Sequence, residues 1–262
     1  MKYLLFIIFL LFPFLSKAQT GYRLIYNLKY QIDSTNVNSV SDEIYYLDMF
    51  GNESYFLSQN QFLKDSFLLN PNEKDMLDAF LNLKTRPKSS KFSYTIHTKN
   101  ELTKHYEKIT LQSFAYEEEI DLDWKLSDDT LTIGNYLCQR ATTRFAGRNY
   151  EAWYTTKIPL TAYPYKFSGL LGTIMRIVDA KNHYQFDLME IQNIDKSTVF
   201  NSVDEPQNKI SKKEFWKMKK KFWENPELRF AGSGIVLGGN NERMKKNMAA
   251  RRKRENNPIE LE

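Results

Sequence analysis

Tyr22-Arg23-Leu24-Ile25-Tyr26-Asn27-Leu28-Lys29-Tyr30 decides the fold class. Tyr22, Leu24, Tyr26, Leu28 and Tyr30 take every second position, with Arg23, Asn27 and Lys29 between them. A period of two belongs to an extended strand with one buried face; on a helix the same residues would scatter around the axis. The alternation returns at Tyr45, Leu47 and Met49, at Phe92, Tyr94 and Ile96, and at Tyr184, Phe186 and Leu188. Further strands are expected over 53–58, 103–115, 130–144, 148–156 and 173–179, and Asp179-Ala180-Lys181-Asn182 suits a hairpin connection because Asp and Asn tolerate turn conformations. With 18 Phe and 16 Tyr, the composition favours pleated, half-buried surfaces. The expected fold is therefore mainly β: a single antiparallel meander sheet, curved or half-open and barrel-like, with one or two covering helices.

Two segments break the alternation. Met76, Leu77, Phe80 and Leu81 are spaced for a helix over 72–83, and Pro87 fits a helix that has ended. The second helix is predicted over 211–223, where Ser211-Lys212-Lys213-Glu214 matches a capping box and Asn225-Pro226 supplies a stop. Its stripe of Phe215, Met218 and Phe222 among lysines has two readings: packing on the sheet, or lying on an anionic membrane surface. Residues 209–254 carry fifteen Lys and Arg against four acidic residues, so a chain of net charge +5 is acidic elsewhere. Beyond Phe230 the Gly-, Asn-, Lys- and Arg-rich sequence predicts a flexible basic tail over 231–262, with disorder from about residue 240. No aromatic residues interleave with its cations, so nucleic acid is not the expected partner.

The amino-terminal pattern is that of an exported chain. Met1-Lys2 is a short basic start, Tyr3 to Leu15 is almost wholly apolar, and Ser16-Lys17-Ala18 supplies small residues for cleavage between Ala18 and Gln19. Interrupted by Pro13, the apolar run falls short of the ~20 residues that cross a bilayer. A signal peptide over 1–18 would leave a domain over 19–230 that is periplasmic, outer-membrane associated or secreted. Cys138 has no partner in its own chain, so it is either a small buried side chain or a reactive thiol.

The most distinctive stretch runs from Trp124 to Ile191. It holds Ile133-Gly134-Asn135-Tyr136-Leu137-Cys138-Gln139-Arg140-Ala141, Gly147-Arg148, Ala152-Trp153-Tyr154-Thr155, Ile158-Pro159, Pro164-Tyr165-Lys166-Phe167 and Gly169-Leu170-Leu171-Gly172-Thr173-Ile174. In order and spacing these motifs resemble the GLPGLI family, over roughly a quarter of the chain. Leu171 stands where the signature has proline, Thr173 where it has leucine, and Tyr163 where a glycine usually precedes Pro-Tyr-Lys-Phe. The resemblance implies a β-rich envelope protein working beside a TonB-dependent outer-membrane receptor or another envelope protein. The motifs themselves describe a sharp re-entry of the chain into the sheet. Their functional reading is a docking surface for a receptor or an extended peptide, with Arg148, Trp153, Tyr163 and Tyr165 as binding residues and Gly169 and Gly172 shaping the turn.

Enzyme readings are weaker. His97, His105 and His183 fall in no metal-ligand spacing, and a two-residue turn at Lys99-Asn100 would set His97 opposite Leu102 and put His105 on the other face. Glu117-Glu118-Glu119, Asp121 and Asp123 suit a solvated loop better than a catalytic pair. No Gly-x-Ser-x-Gly elbow positions a nucleophile, and no metal or cofactor is expected. The reading is a non-enzymatic binding or accessory module for an envelope partner or an apolar ligand, with an unrecognised periplasmic hydrolase as the alternative.

Overall fold

The alternating residues 22–30 do form a strand, and it lies near the middle of one large sheet. The computed structural model describes residues 20–69, 88–109, 112–195, 208–225 and 241–261. The strands are β1 (Thr20–Gln31), β2 (Val40–Phe50), β3 (Glu53–Ser58), β4 (Tyr94–Lys99), β5 (Leu102–Ile109), β6 (Gln112–Glu119), β7 (Lys125–Ile133), β8 (Tyr136–Phe145), β9 (Arg148–Thr155), β10 (Thr173–Asp179), β11 (Tyr184–Asp195) and β12 (Asn208–Lys209). Their order across the sheet is β12-β6-β5-β4-β3-β2-β1-β11-β10-β9-β8-β7. Every pairing is antiparallel except the short parallel contact of β12 with β6. Two meanders thus meet where β1 pairs with β11, and the sheet does not close into a barrel.

Alternation decides what is inside. Leu24, Tyr26 and Leu28 of β1 are fully buried on one face with Tyr45, Phe56, Ile96, Ile177 and Phe186 from neighbouring strands. On the other face Arg23 meets Asp48 of β2 in a buried bidentate pair, 2.7 Å for each bond, and the guanidinium lies over Tyr46. Helix α1 (Gln59–Leu69) covers that pair with Phe62.

Tyr165 shows how strongly the sheet curls. Its ring lies 5.3 Å from Tyr94 of β4 and 6.2 Å from Phe145 of β8. Those strands stand seven places apart in the order, which on a flat sheet would separate them by ~34 Å. The inner face therefore wraps around the connection 156–172, whose Phe167 and Leu170 fill the core.

Several expectations change in detail. The run 103–115 is two strands, β5 and β6, and 130–144 is parts of β7 and β8 joined through Gly134, which has a φ of 58°. The β4–β5 turn uses Asn100-Glu101, both at positive φ, so His97 faces Lys104 and not Leu102. His105 still falls on the opposite face, because it pairs with Ile96. The hairpin at 179–182 forms as expected: Asp179 Oδ1 accepts the backbone hydrogens of His183 and Tyr184. Helix α2 (Lys212–Glu224) begins with the capping box of Ser211 and Glu214 and packs its stripe on the sheet, with Phe215 fully buried against Tyr116. The helix expected over 72–83 and the leader over 1–18 lie outside the described residues.

The flexible tail is the largest correction. Helix α3 (Asn241–Arg254) occupies part of it, and residues 255–261 return to the inner face, where Ile259 joins the core and Glu260 is buried.

Candidate functional site

Strand register places unusual chemistry on the inner face. Tyr94 faces Glu107, Ile96 faces His105 and Thr98 faces Thr103; across the next ladder these meet Phe114, Tyr116 and Glu118 of β6. A histidine and two carboxylates thus point where apolar side chains would ordinarily go, and α2 supplies compensating cations. Lys219 Nζ donates to Glu107 at 2.8 Å and Lys212 Nζ to Glu118 at 2.8 Å. His105 stacks on Tyr116 at 4.8 Å, its Nε2 lies 3.2 Å from Glu107 Oε2, and its buried Nδ1 has no hydrogen-bond partner among the described residues.

Between this face, α2, α3 and the segment 255–260 lies a cavity of about 450 Å³. Ile32, Phe92, Tyr94, Tyr184, Trp216 and Ile259 give it apolar and aromatic walls. Lys91, Lys219, Lys220, Arg251 and Arg252 line it against the carboxylates of Glu107, Glu255 and Glu260, with Glu224 beside Lys220 and Arg252, leaving a small cationic excess. Burial holds the His105 imidazole below its ordinary pKa, so it is neutral over more of the pH range. Burial alone would raise Glu107, yet the Lys219 charge and the His105 hydrogen bond bring it down to about 2.

A second charged group lies deeper. The Lys166 side chain is wholly buried, and its Nζ donates to Glu260 at 2.6 Å and to the Tyr116 hydroxyl at 3.0 Å, and is ion-paired with Glu118. Tyr165 donates to the same Glu260 carboxylate. Burial opposes ionisation of Glu260, but the charges of Lys166 and Lys212 and these hydrogen bonds hold it near 2. Burial and the neighbouring Glu260 charge push the Tyr165 phenol up, so it stays a donor.

The residues expected to form a docking surface separate into three places. Arg148 and Tyr165 are buried on the inner face, where both bind segment 255–261; neither is an exposed contact. Trp153 is on the outer face, where its Nε1 donates to Glu151 and its ring packs near Cys138 and Met175. Tyr163 and Gly169 border a separate cavity of about 670 Å³, beside Leu171 and the β3–β4 edge. Gly169, at a φ of 100°, lies under the Trp124 ring, and Gly172 is pressed on Thr155 so closely that a Cβ would stand 2.5 Å from its carbonyl oxygen. The structure therefore does not bring these six residues together on one surface. The sequence reading missed His105, Glu107, Lys166 and Glu260; the usable signal was the alternation Phe114-Ala115-Tyr116-Glu117-Glu118, which places Glu118 on the buried face.

No protein-family model matches the chain, and no curated protein does. Among solved structures it is similar to PNGF-II in space group C2, with a TM-score of 0.54 and 12% identity over 77% of this chain and 33% of that one. The P21 form of PNGF-II gives 0.53 and 13%, over 78% and 34%. The chain thus spans about a third of the length of PNGF-II, and at this identity the likeness is one of fold.

Proposed function

We propose that this chain is an exported envelope binding module of the GLPGLI type, and that its inner cavity holds a small ligand with an apolar body and an anionic end. The observation that carries the reading is the pairing of aromatic walls with a cationic lining in one concave site of about 450 Å³. Apolar walls favour a hydrocarbon or ring, and the excess of Lys and Arg favours a carboxylate or similar group near the mouth. In the envelope such a module would pass its ligand to, or receive it from, an outer-membrane receptor.

Titration with dodecanoate and dodecanol, followed through the fluorescence of Trp216, tests the ligand class. Dodecanoate is expected to bind at least tenfold more tightly than the alcohol, with the signal lost in Trp216→Phe. Equal binding of the two, or binding of neither, removes the proposal. Export rests on the Met1–Ala18 pattern, and fractionation with amino-terminal sequencing should recover a mature chain beginning at Gln19. The hydrolase alternative has one observation in its favour, the His105–Glu107 pair beside the cavity. It requires that His105→Ala abolish turnover of a chromogenic ester while leaving dodecanoate binding intact.

A further inference from the structure

Residues 255–261 are held as a bound peptide is held. They form neither helix nor strand, and side chains far away in sequence contact their backbone and side chains. Arg148 donates from Nε to the Ile259 carbonyl at 3.1 Å, and from Nη2 to Asn257 Oδ1 at 2.6 Å and the Pro258 carbonyl at 2.5 Å. Asp179 fixes the same guanidinium through Nη1 at 3.0 Å. Tyr184 donates to the Asn257 carbonyl at 2.6 Å, and the Asn257 side-chain amide donates to the Gln31 carbonyl at 2.5 Å. Two main-chain bonds complete the seat, from Asn257 N to Ile32 O at 3.1 Å and from Leu261 N to Ala146 O at 2.9 Å. Ile259 enters the aromatic core, and Glu260 answers the charge of Lys166.

We infer that the groove walled by Arg148, Tyr165, Lys166 and Tyr184 is a recognition site for a peptide segment of Asn-Pro-aliphatic-Glu pattern, and that segment 255–261 of a second copy of this chain can replace the resident one. The physical reason is selectivity by buried charge. Withdrawing the resident segment leaves Lys166 with Glu118 and the Tyr116 hydroxyl but without Glu260, and Arg148 with Asp179 but without the oxygens of Asn257, Pro258 and Ile259. A buried cation stripped of part of its hydrogen bonding is destabilised, so a neutral or purely apolar peptide is a poorer occupant than one that restores those oxygens. A replacement must bring a carboxylate to Lys166 and carbonyl oxygens to Arg148 together, and this chain's own sequence is one that does. The cavity need not hold any ligand for this exchange to occur.

A fluorescein-labelled peptide spanning residues 254–262, titrated by anisotropy against the full chain, tests the inference. Asn257→Ala in the full chain loosens the resident segment but keeps Glu260. This variant is expected to bind the peptide at least tenfold more tightly than the unmodified chain does. Glu260→Gln in the peptide should lower that binding tenfold or more. No binding to either folded chain, or binding indifferent to the Glu260 substitution, overturns the inference. Hydrogen exchange on the unmodified chain gives a second measurement that needs no variant to fold. Detachment predicts that the Asn257 and Leu261 amides exchange together and faster than those of β1; exchange of these amides only through global unfolding overturns it.

Discussion

Replacing Glu260 by glutamine keeps the side chain's shape and removes its charge, which isolates what the carboxylate contributes. In the folded chain it accepts from Lys166 Nζ at 2.6 Å and from the Tyr165 hydroxyl, while Lys212 Nζ stands 3.2 Å from its other oxygen. Burial works against this carboxylate, but the two lysines and the hydrogen bonds take its pKa from the ordinary 4.5 to about 2. At ~1.4 kcal/mol for each pH unit, that difference corresponds to ~3 kcal/mol of folding free energy. Breaking a buried ion pair by removing one partner costs ~3–5 kcal/mol in general, so two independent routes reach the same size. The unfolded chain takes up this proton near 4.5 and the folded chain only near 2, so the contribution is complete above the first value and disappears as pH falls towards the second. Urea unfolding should find Glu260→Gln destabilised by ~3 kcal/mol at pH 7, with the two chains within ~1 kcal/mol of each other at pH 2. A difference that stays constant with pH, or one below ~0.5 kcal/mol at pH 7, refutes the assignment of this carboxylate as the partner of Lys166.

Arg148→Lys should lower stability by ~2–4 kcal/mol, because a single ammonium cannot serve Asp179 and the oxygens of Asn257, Pro258 and Ile259 at once; urea unfolding measures it. Gly172→Ala should cost ~2–4 kcal/mol, since its Cβ would stand 2.5 Å from the Thr155 carbonyl oxygen. Gly134→Ala, with open space around it and only a φ of 58° to accommodate, should cost ~1–2 kcal/mol, and thermal unfolding ranks the two. Cys138 is fully buried, and burial raises its thiol above the ordinary range. Labelling by a thiol reagent at pH 7 should therefore be slow in the native chain and fast in urea.

Strands with one wet face were legible because their period is local: the alternation from Tyr22 to Tyr30 is burial written along the chain. The capping box at Ser211 was legible for the same reason, since its partners are three residues apart. An equivalent local sign went unread at Ser58, whose hydroxyl accepts from the Gln61 backbone to start α1. The segment 255–261 could not be found by period or composition. Its neighbours are cationic and polar, and the residues that make it structural, Arg148 and Lys166, lie about a hundred positions upstream. Pro258 and the spacing of Ile259 and Leu261 marked a break in the basic run, but nothing local says that Glu260 is buried. The candidate cavity was hidden likewise, because it is assembled from β4, β5, α2, α3 and that segment, and only the curl of the sheet brings them together.

The seam between β1 and β11 pairs Tyr26 with Leu188, and Leu24 with Ile191. Residues that far apart in sequence must find one another against the full entropy of the chain between them, whereas most neighbouring pairs, such as β1–β2, β4–β5, β8–β9 and β10–β11, close short loops. Contact order makes the closing of this seam the expected slow step of folding, and before it closes the aromatic faces of both halves would be exposed to water. An unfolded chain would be most exposed to aggregation during that interval.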